Sequence, residues 1–142
     1  YGDMNGGLAV IGDLYKTKVF KLCNWIDSQL SNQSRKIYNL PLNNKLIGDK
    51  ICNKPPSAEL APNQLDTDFL PPYRQLDNIL KGLIEEKKDL MQLQREGNRY
   101  DLILRVIMLI KRSEFKRKQA PPILKLSNQS LGNDWRIPVA IK

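Results

Sequence analysis

Three groups of residues in this 142-residue sequence carry functional groups suited to binding or moving phosphate. Lys16 and Lys18 fall where an amphipathic helix should begin. Cations in a first helical turn oppose the positive end of the helix dipole by roughly a few tenths of a kcal/mol. A bound anion reverses that sign, because free backbone N–H groups, the dipole and an ammonium then converge on it. The same lysines also fit a solvated surface turn. In Lys54-Pro55-Pro56-Ser57-Ala58-Glu59 two prolines stiffen the backbone, while Lys54 offers a cation and Ser57 a hydroxyl donor. The run equally fits an ordinary linker. Lys116-Arg117-Lys118 closes a helix, where cations complement the dipole by about 0.3–1 kcal/mol, and the following Ala120-Pro121-Pro122 stops the chain rigidly. That patch can cap a helix or hold phosphates.

Other chemistries lack their residues. There is no histidine, so neither a nucleophile with a His partner nor a zinc set is expected. Cys23 and Cys52 are too far apart in sequence for a local metal clip, and reduced thiols in a cytoplasmic setting are the simplest expectation. Asp3, Asp13 and Glu59 read as turn and capping residues rather than a catalytic pair, with one available to assist a magnesium ion held mostly elsewhere. No catalytic residue and no metal ligand is therefore assigned. The formal charge of +8 favours polyanionic partners, but a nucleic-acid module would interleave basic and exposed aromatic residues, so nucleic acid ranks below a nucleotide. No apolar run approaches the roughly 18–20 residues that cross a bilayer, which predicts a soluble chain. A start at Tyr1 without a leader predicts a chain cut from something longer.

The elements that must position these groups are mostly helical. Gly-rich turns bracket Leu8-Ala9-Val10-Ile11, which reads as a terminal buried strand. Val19, Leu22, Cys23, Ile26 and Leu30 share one helical face, predicting a helix from about Leu14 to Leu30 with Asp13 as its N-cap. Ser31 to Leu70 is polar and proline-containing and reads as a long loop, a length often used for lids. Pro71-Pro72 starts a second helix buried through Tyr73, Leu76, Ile79, Leu80, Leu83 and Ile84. A short helical turn spans about Asp89 to Arg95 and ends at Gly97, after which Asn98 can cap the last helix. That helix carries Ile103, Val106, Ile107 and Ile110 and runs to about Lys118. Beyond it an extended tail offers Trp135, Ile137 and Val139 for packing.

Four separated motifs, in order, carry a resemblance. They are Tyr1-Gly2-Asp3-Met4-Asn5-Gly6-Gly7-Leu8-Ala9-Val10, Leu14-Tyr15-Lys16-Thr17, Lys54-Pro55-Pro56-Ser57-Ala58-Glu59-Leu60, and Phe115-Lys116-Arg117-Lys118-Gln119-Ala120-Pro121-Pro122. Together they resemble the glutamine-dependent NAD synthetases over nearly the whole chain, and Asp134-Trp135-Arg136-Ile137-Pro138 resembles that family's C-terminal ending.

The resemblance implies an α/β domain with a parallel sheet, of the adenine nucleotide alpha-hydrolase or N-type ATP pyrophosphatase kind. Residues 1–142 would be its C-terminal, mostly helical portion. It implies adenylation of the nicotinate carboxylate of deamido-NAD by ATP, with magnesium, and attack on the adenylate by ammonia from a glutaminase domain. A homo-oligomer is implied for the full enzyme. By motif position, Lys16 and Ser57 would contact ATP and Lys116 would contact deamido-NAD. The family's Ser-Gly-Gly-x-Asp-Ser pyrophosphate loop and its acidic magnesium-holding residue do not occur in this sequence, which predicts no activity for these residues alone. Ammonia-dependent relatives have Asp near Gly7 and His near Phe115, so those contacts do not transfer. The rivals are a basic helical module that binds nucleic acid or protein, and a separate subunit that completes a site in trans.

Overall fold

A computed structural model of the chain describes residues 5–42, 44–132 and 134–135. They fall into two compact units, one made of residues 1–15 with 71–142 and the other of residues 16–70. Among the described residues the regular structure is helical, apart from one isolated parallel bridge between Ala9 and Ile123.

The discontinuous unit is built on helices α4 (Tyr73–Ile84), α5 (Leu90–Arg95) and α6 (Tyr100–Gln119). Leu76, Ile79 and Ile84 of α4, Leu93 of α5, and Ile103 and Val106 of α6 are buried and form its core. Burying each such side chain stabilises the fold by roughly 2 kcal/mol. The helical spacing of apolar residues thus identified the faces that pack. Asp89 caps α5 reciprocally with Gln92, and Gly97 takes a φ of 89°, the left-handed conformation expected after a helix end. Asn98 does not cap α6. Its side-chain amide donates to the Leu93 carbonyl at 3.0 Å, and Arg99 occupies the cap position without a side-chain cap.

The expected buried strand at Leu8–Ile11 is not present. Leu8, Val10 and Ile11 are 56%, 55% and 53% exposed, and only Ala9 pairs, its N–H donating to Pro122 O at 2.9 Å. A buried strand needs neighbours on both edges and both faces, and the described residues supply one.

The continuous unit contains α1 (Lys16–Ser28), α2 (Asn32–Ile37) and α3 (Asp49–Cys52), with a 3-10 turn at Asp66–Asp68. Helix α1 falls within two residues of the expected span, but Asp13 does not cap it. The stretch expected to be a long loop is partly helical, because side chains replace the missing apolar periodicity. Ser31 caps α2 by accepting from Ser34 N–H. Arg35 is buried and donates to the carbonyls of Ile26, Leu30, Pro41 and Asn44. The Asp27 carboxylate accepts the N–H groups of Leu46, Ile47 and Gly48 at 2.8 Å each, which seats the chain entering α3. Those bonds, that of Ile47 first, hold its pKa below the usual carboxylate value.

Candidate functional site

Within the continuous unit, α1 packs on α3, and the loop that follows α3 returns past them. A cleft of about 250 Å³ opens there. Its walls are Lys16, Val19, Phe20 and Cys23 of α1, Ile51 and Cys52 of α3, and the loop residues Lys54–Ser57 with Glu59. Two of the sequence-selected groups, Lys16 and Ser57, therefore line one cavity although they are far apart in the chain. Lys16 begins α1 and its ammonium lies 5.9 Å from the Phe20 ring centroid. Whole-ligand pockets run about 300–1,000 Å³, so a cleft of this size takes part of a small-molecule ligand. The half-buried thiols of Cys23 and Cys52 complete the wall, and burial, ahead of the Asp27 charge, raises the Cys52 pKa.

The loop is braced from inside. Asp66 N–H donates to Pro56 O at 2.9 Å, and the Gln64 carbonyl oxygen accepts from Leu60 N–H and Ala61 N–H at 3.0 and 3.1 Å. Glu59 N–H donates to Ser57 Oγ at 3.0 Å, and the Glu59 carboxylate forms an ion pair with Lys54. A second concavity, of about 550 Å³, opens along Lys54–Leu65.

Lys116 sits in the other unit. It lines a pocket of about 480 Å³ with Ser113 and Arg117 of α6, residues from the stretch Asn5–Gly12, and Ala120, Pro121, Ile123 and Leu131. Gly12 packs closely there: an added Cβ would meet Ala9 Cβ at 3.1 Å and Ile123 at 3.3 Å, so these neighbours would have to shift by a few tenths of an ångström. Lys116 is exposed in the last turn of α6, where its neighbour Arg117 is committed to structure. Arg117 donates to Leu131 O at 3.1 and 2.6 Å, to Trp135 O, and to Glu114 Oε2 at 2.8 Å, with its guanidinium 5.0 Å from the Trp135 ring. Trp135 thus packs as the tail reading expected, whereas Ile137 and Val139 lie outside the described residues.

Asp13 is the group that sequence reasoning misread. It is 2% exposed and accepts from Leu126 N–H, Ser127 N–H, Ser127 Oγ and Leu131 N–H at 2.7–2.8 Å. Burial alone would raise its pKa, but these four donors outweigh burial and bring the carboxyl down to about 2. Two residues on, Tyr15 is buried, and burial followed by its hydrogen bond to Glu85 pushes the phenol well above its ordinary value. An Asp before a helix reads as a cap, and nothing local in the sequence marks one that ties two distant segments together.

Among the described residues no three His, Cys, Asp or Glu side chains gather in a metal-holding group, and Asp3 lies outside them. No helix of the described residues is long and apolar enough to cross a membrane.

Comparison with known proteins brings these motifs together. A family model described as NAD synthase matches residues 1–120. The chain is 42% identical over 140 residues to a glutamine-dependent NAD(+) synthetase of a Synechocystis species, covering 99% of this chain and 23% of that protein. It is 42% identical over 142 residues to the enzyme of the same name from Aquifex aeolicus, covering all of this chain and 23% of the relative. A solved structure of glutamine-dependent NAD+ synthetase from Acinetobacter baumannii, in complex with ADP, aligns with 89% of this chain and 19% of its own, at 26% identity and a TM-score of 0.47. The chain thus spans about a quarter of the length of the curated relatives it matches.

Proposed function

This chain belongs to the NAD synthase family, and we propose that residues 1–142 act as the C-terminal portion of the synthetase domain of a glutamine-dependent enzyme. That domain would be an α/β ATP pyrophosphatase whose parallel sheet covers the exposed Leu8–Ile11 segment. The reaction is amidation of deamido-NAD to NAD. ATP adenylates the nicotinate carboxylate with loss of pyrophosphate, and ammonia then displaces AMP. The ammonia comes from glutamine in a glutaminase domain of the longer enzyme, which acts as a cytoplasmic homo-oligomer.

The observation that carries this reading is the shared cleft. Lys16 and Ser57 come from separate motifs and line one cavity sized for part of a nucleotide. An ammonium at a helix start and a hydroxyl on a proline-stiffened loop suit the negative charge that grows on ATP phosphates as pyrophosphate departs. Lys116 is assigned to deamido-NAD by its place in the family motif Phe115–Pro122, and it lines a largely apolar pocket beside Arg117, whose cation is already spent on the frame. Magnesium would be held mostly by residues outside this chain, since Asp13 is filled by four donors, Asp27 by three, and Glu59 is paired with Lys54.

Lys16→Ala and Ser57→Ala in the full-length enzyme should raise the KM for ATP and slow pyrophosphate release. Lys116→Ala should raise the KM for deamido-NAD and leave that for ATP in place. An unchanged adenylation rate in Lys16→Ala removes Lys16 from this role.

A further inference from the structure

Lys54 is not among the assigned residues Lys16, Ser57 and Lys116, yet it lines two concavities of the continuous unit, together with Ser57 and Glu59. We propose that the Glu59 carboxylate is an internal stand-in for a ligand phosphate at Lys54, which makes Lys54 a further phosphate-binding residue, engaged when Glu59 lets go. The inference rests on the reading of the cleft as a nucleotide-phosphate site.

Three observations point this way. First, the Lys54 ammonium is paired with the Glu59 carboxylate, and that bond, ahead of their through-space attraction, holds the Glu59 pKa below its ordinary value. Glu59 therefore carries a full negative charge at neutral pH, in the position an anionic ligand would fill. Second, Glu59 N–H donates to Ser57 Oγ, which leaves the hydroxyl hydrogen of Ser57 free to donate elsewhere. The Ser57 hydroxyl is thereby oriented by the backbone of the same residue whose side chain holds the cation. Third, Glu59 adopts a φ of 53°, a left-handed conformation unfavourable for a residue with a side chain. The residue at this turn is the one whose carboxylate pairs with Lys54.

Lys54 and Glu59 both line the cleft, so the carboxylate that neutralises the Lys54 ammonium lies at the cavity wall, where an incoming phosphate can compete for it. Both partners of the pair are about two-thirds exposed, and exposed pairs contribute little, so the exchange is nearly balanced. A deeply buried pair would block the ligand, whereas this one tunes its affinity a few-fold.

The test is ATP affinity of the full-length protein at low and high salt, in Glu59→Gln, Lys54→Ala, their combination, and Ser57→Ala. Glu59→Gln keeps the N–H and the length of the side chain, and its exposure makes misfolding a minor concern. It should tighten ATP about two- to five-fold at low salt, with the gain fading at high salt. Lys54→Ala should weaken ATP several-fold, and Glu59→Gln should bring no gain in its absence. No gain in Glu59→Gln, no loss in Lys54→Ala, or a gain that persists without Lys54 each overturns the inference. If Ser57→Ala weakens ATP while Glu59→Gln is silent, the stand-in role fails and the phosphate site survives. If Ser57→Ala and Lys16→Ala are silent as well, the site itself is wrong and Lys54 falls with it.

Discussion

The two sites are built by opposite means. Lys116 stands on a frame locked by buried, charged hydrogen bonds, in which Asp13 takes four donors and Arg117 reaches Glu114, Leu131 and Trp135. Lys16 and Ser57 line a cleft whose loop is held by backbone turns and one exposed ion pair. Charged hydrogen bonds away from water are strong and leave large penalties when broken, whereas exposed pairs are screened and cheap to exchange. One candidate site is therefore braced by costly bonds, and the other by contacts that exchange at little cost.

The largest blow to that contrast should come from Asp13→Ala. It removes the buried carboxylate that accepts from the N–H groups of Leu126, Ser127 and Leu131, an expected loss of about 3 kcal/mol in stability. Amide hydrogen exchange at those three positions should accelerate together, and unchanged protection would mean that Asp13 is not what holds them. Acid should produce the same effect gradually. A carboxyl at about 2 in the folded state and about 3.9 in the unfolded one contributes stability that is complete above pH 4. That contribution, about 2 kcal/mol, is lost as pH falls towards 2, and Asp13→Asn should flatten the dependence over this window. Stability curves that remain parallel for the two proteins between pH 4 and 2 would break the assignment.

Next in size is Arg117→Lys, which keeps the charge but loses the planar fork shared by Leu131 O, Trp135 O and Glu114. A loss of roughly 2 kcal/mol, with faster exchange at Leu131 than at core positions of α4, is expected. The smallest effects belong to the cleft. Ser57→Ala should change stability by less than about 0.5 kcal/mol while altering ATP kinetics, which separates binding from folding at this residue. Limited proteolysis should sharpen the comparison, cutting within residues 57–65 before residues 123–131. The reverse order would make the cleft loop the more rigid of the two.

Much of this was legible in the order of residues, because helices form from local spacing. The apolar positions of α1, α4 and α6, the Asp89 cap and the Gly97 ending are each decided within a few residues. Elements held by polar side chains were not legible. Arg35 organises the stretch after α1 through four carbonyls, and no apolar pattern announces such a residue. The exposed Leu8–Ile11 segment failed as a buried strand for a related reason: apolar residues state a preference for burial and do not say which neighbours are at hand.

By itself the sequence determined the helical faces and the motifs that carry the family match, since both are properties of short stretches read in order. Only the tertiary structure decided which charges are spent and which are exposed to a ligand. Asp13 acts across 113 positions of chain, Arg117 looks like Lys116 until its carbonyl partners appear, and Lys54 meets Glu59 across a loop that turns left-handed at Glu59. Burial and hydrogen-bond geometry set the energy of a charge, and both depend on residues brought close by folding rather than by sequence.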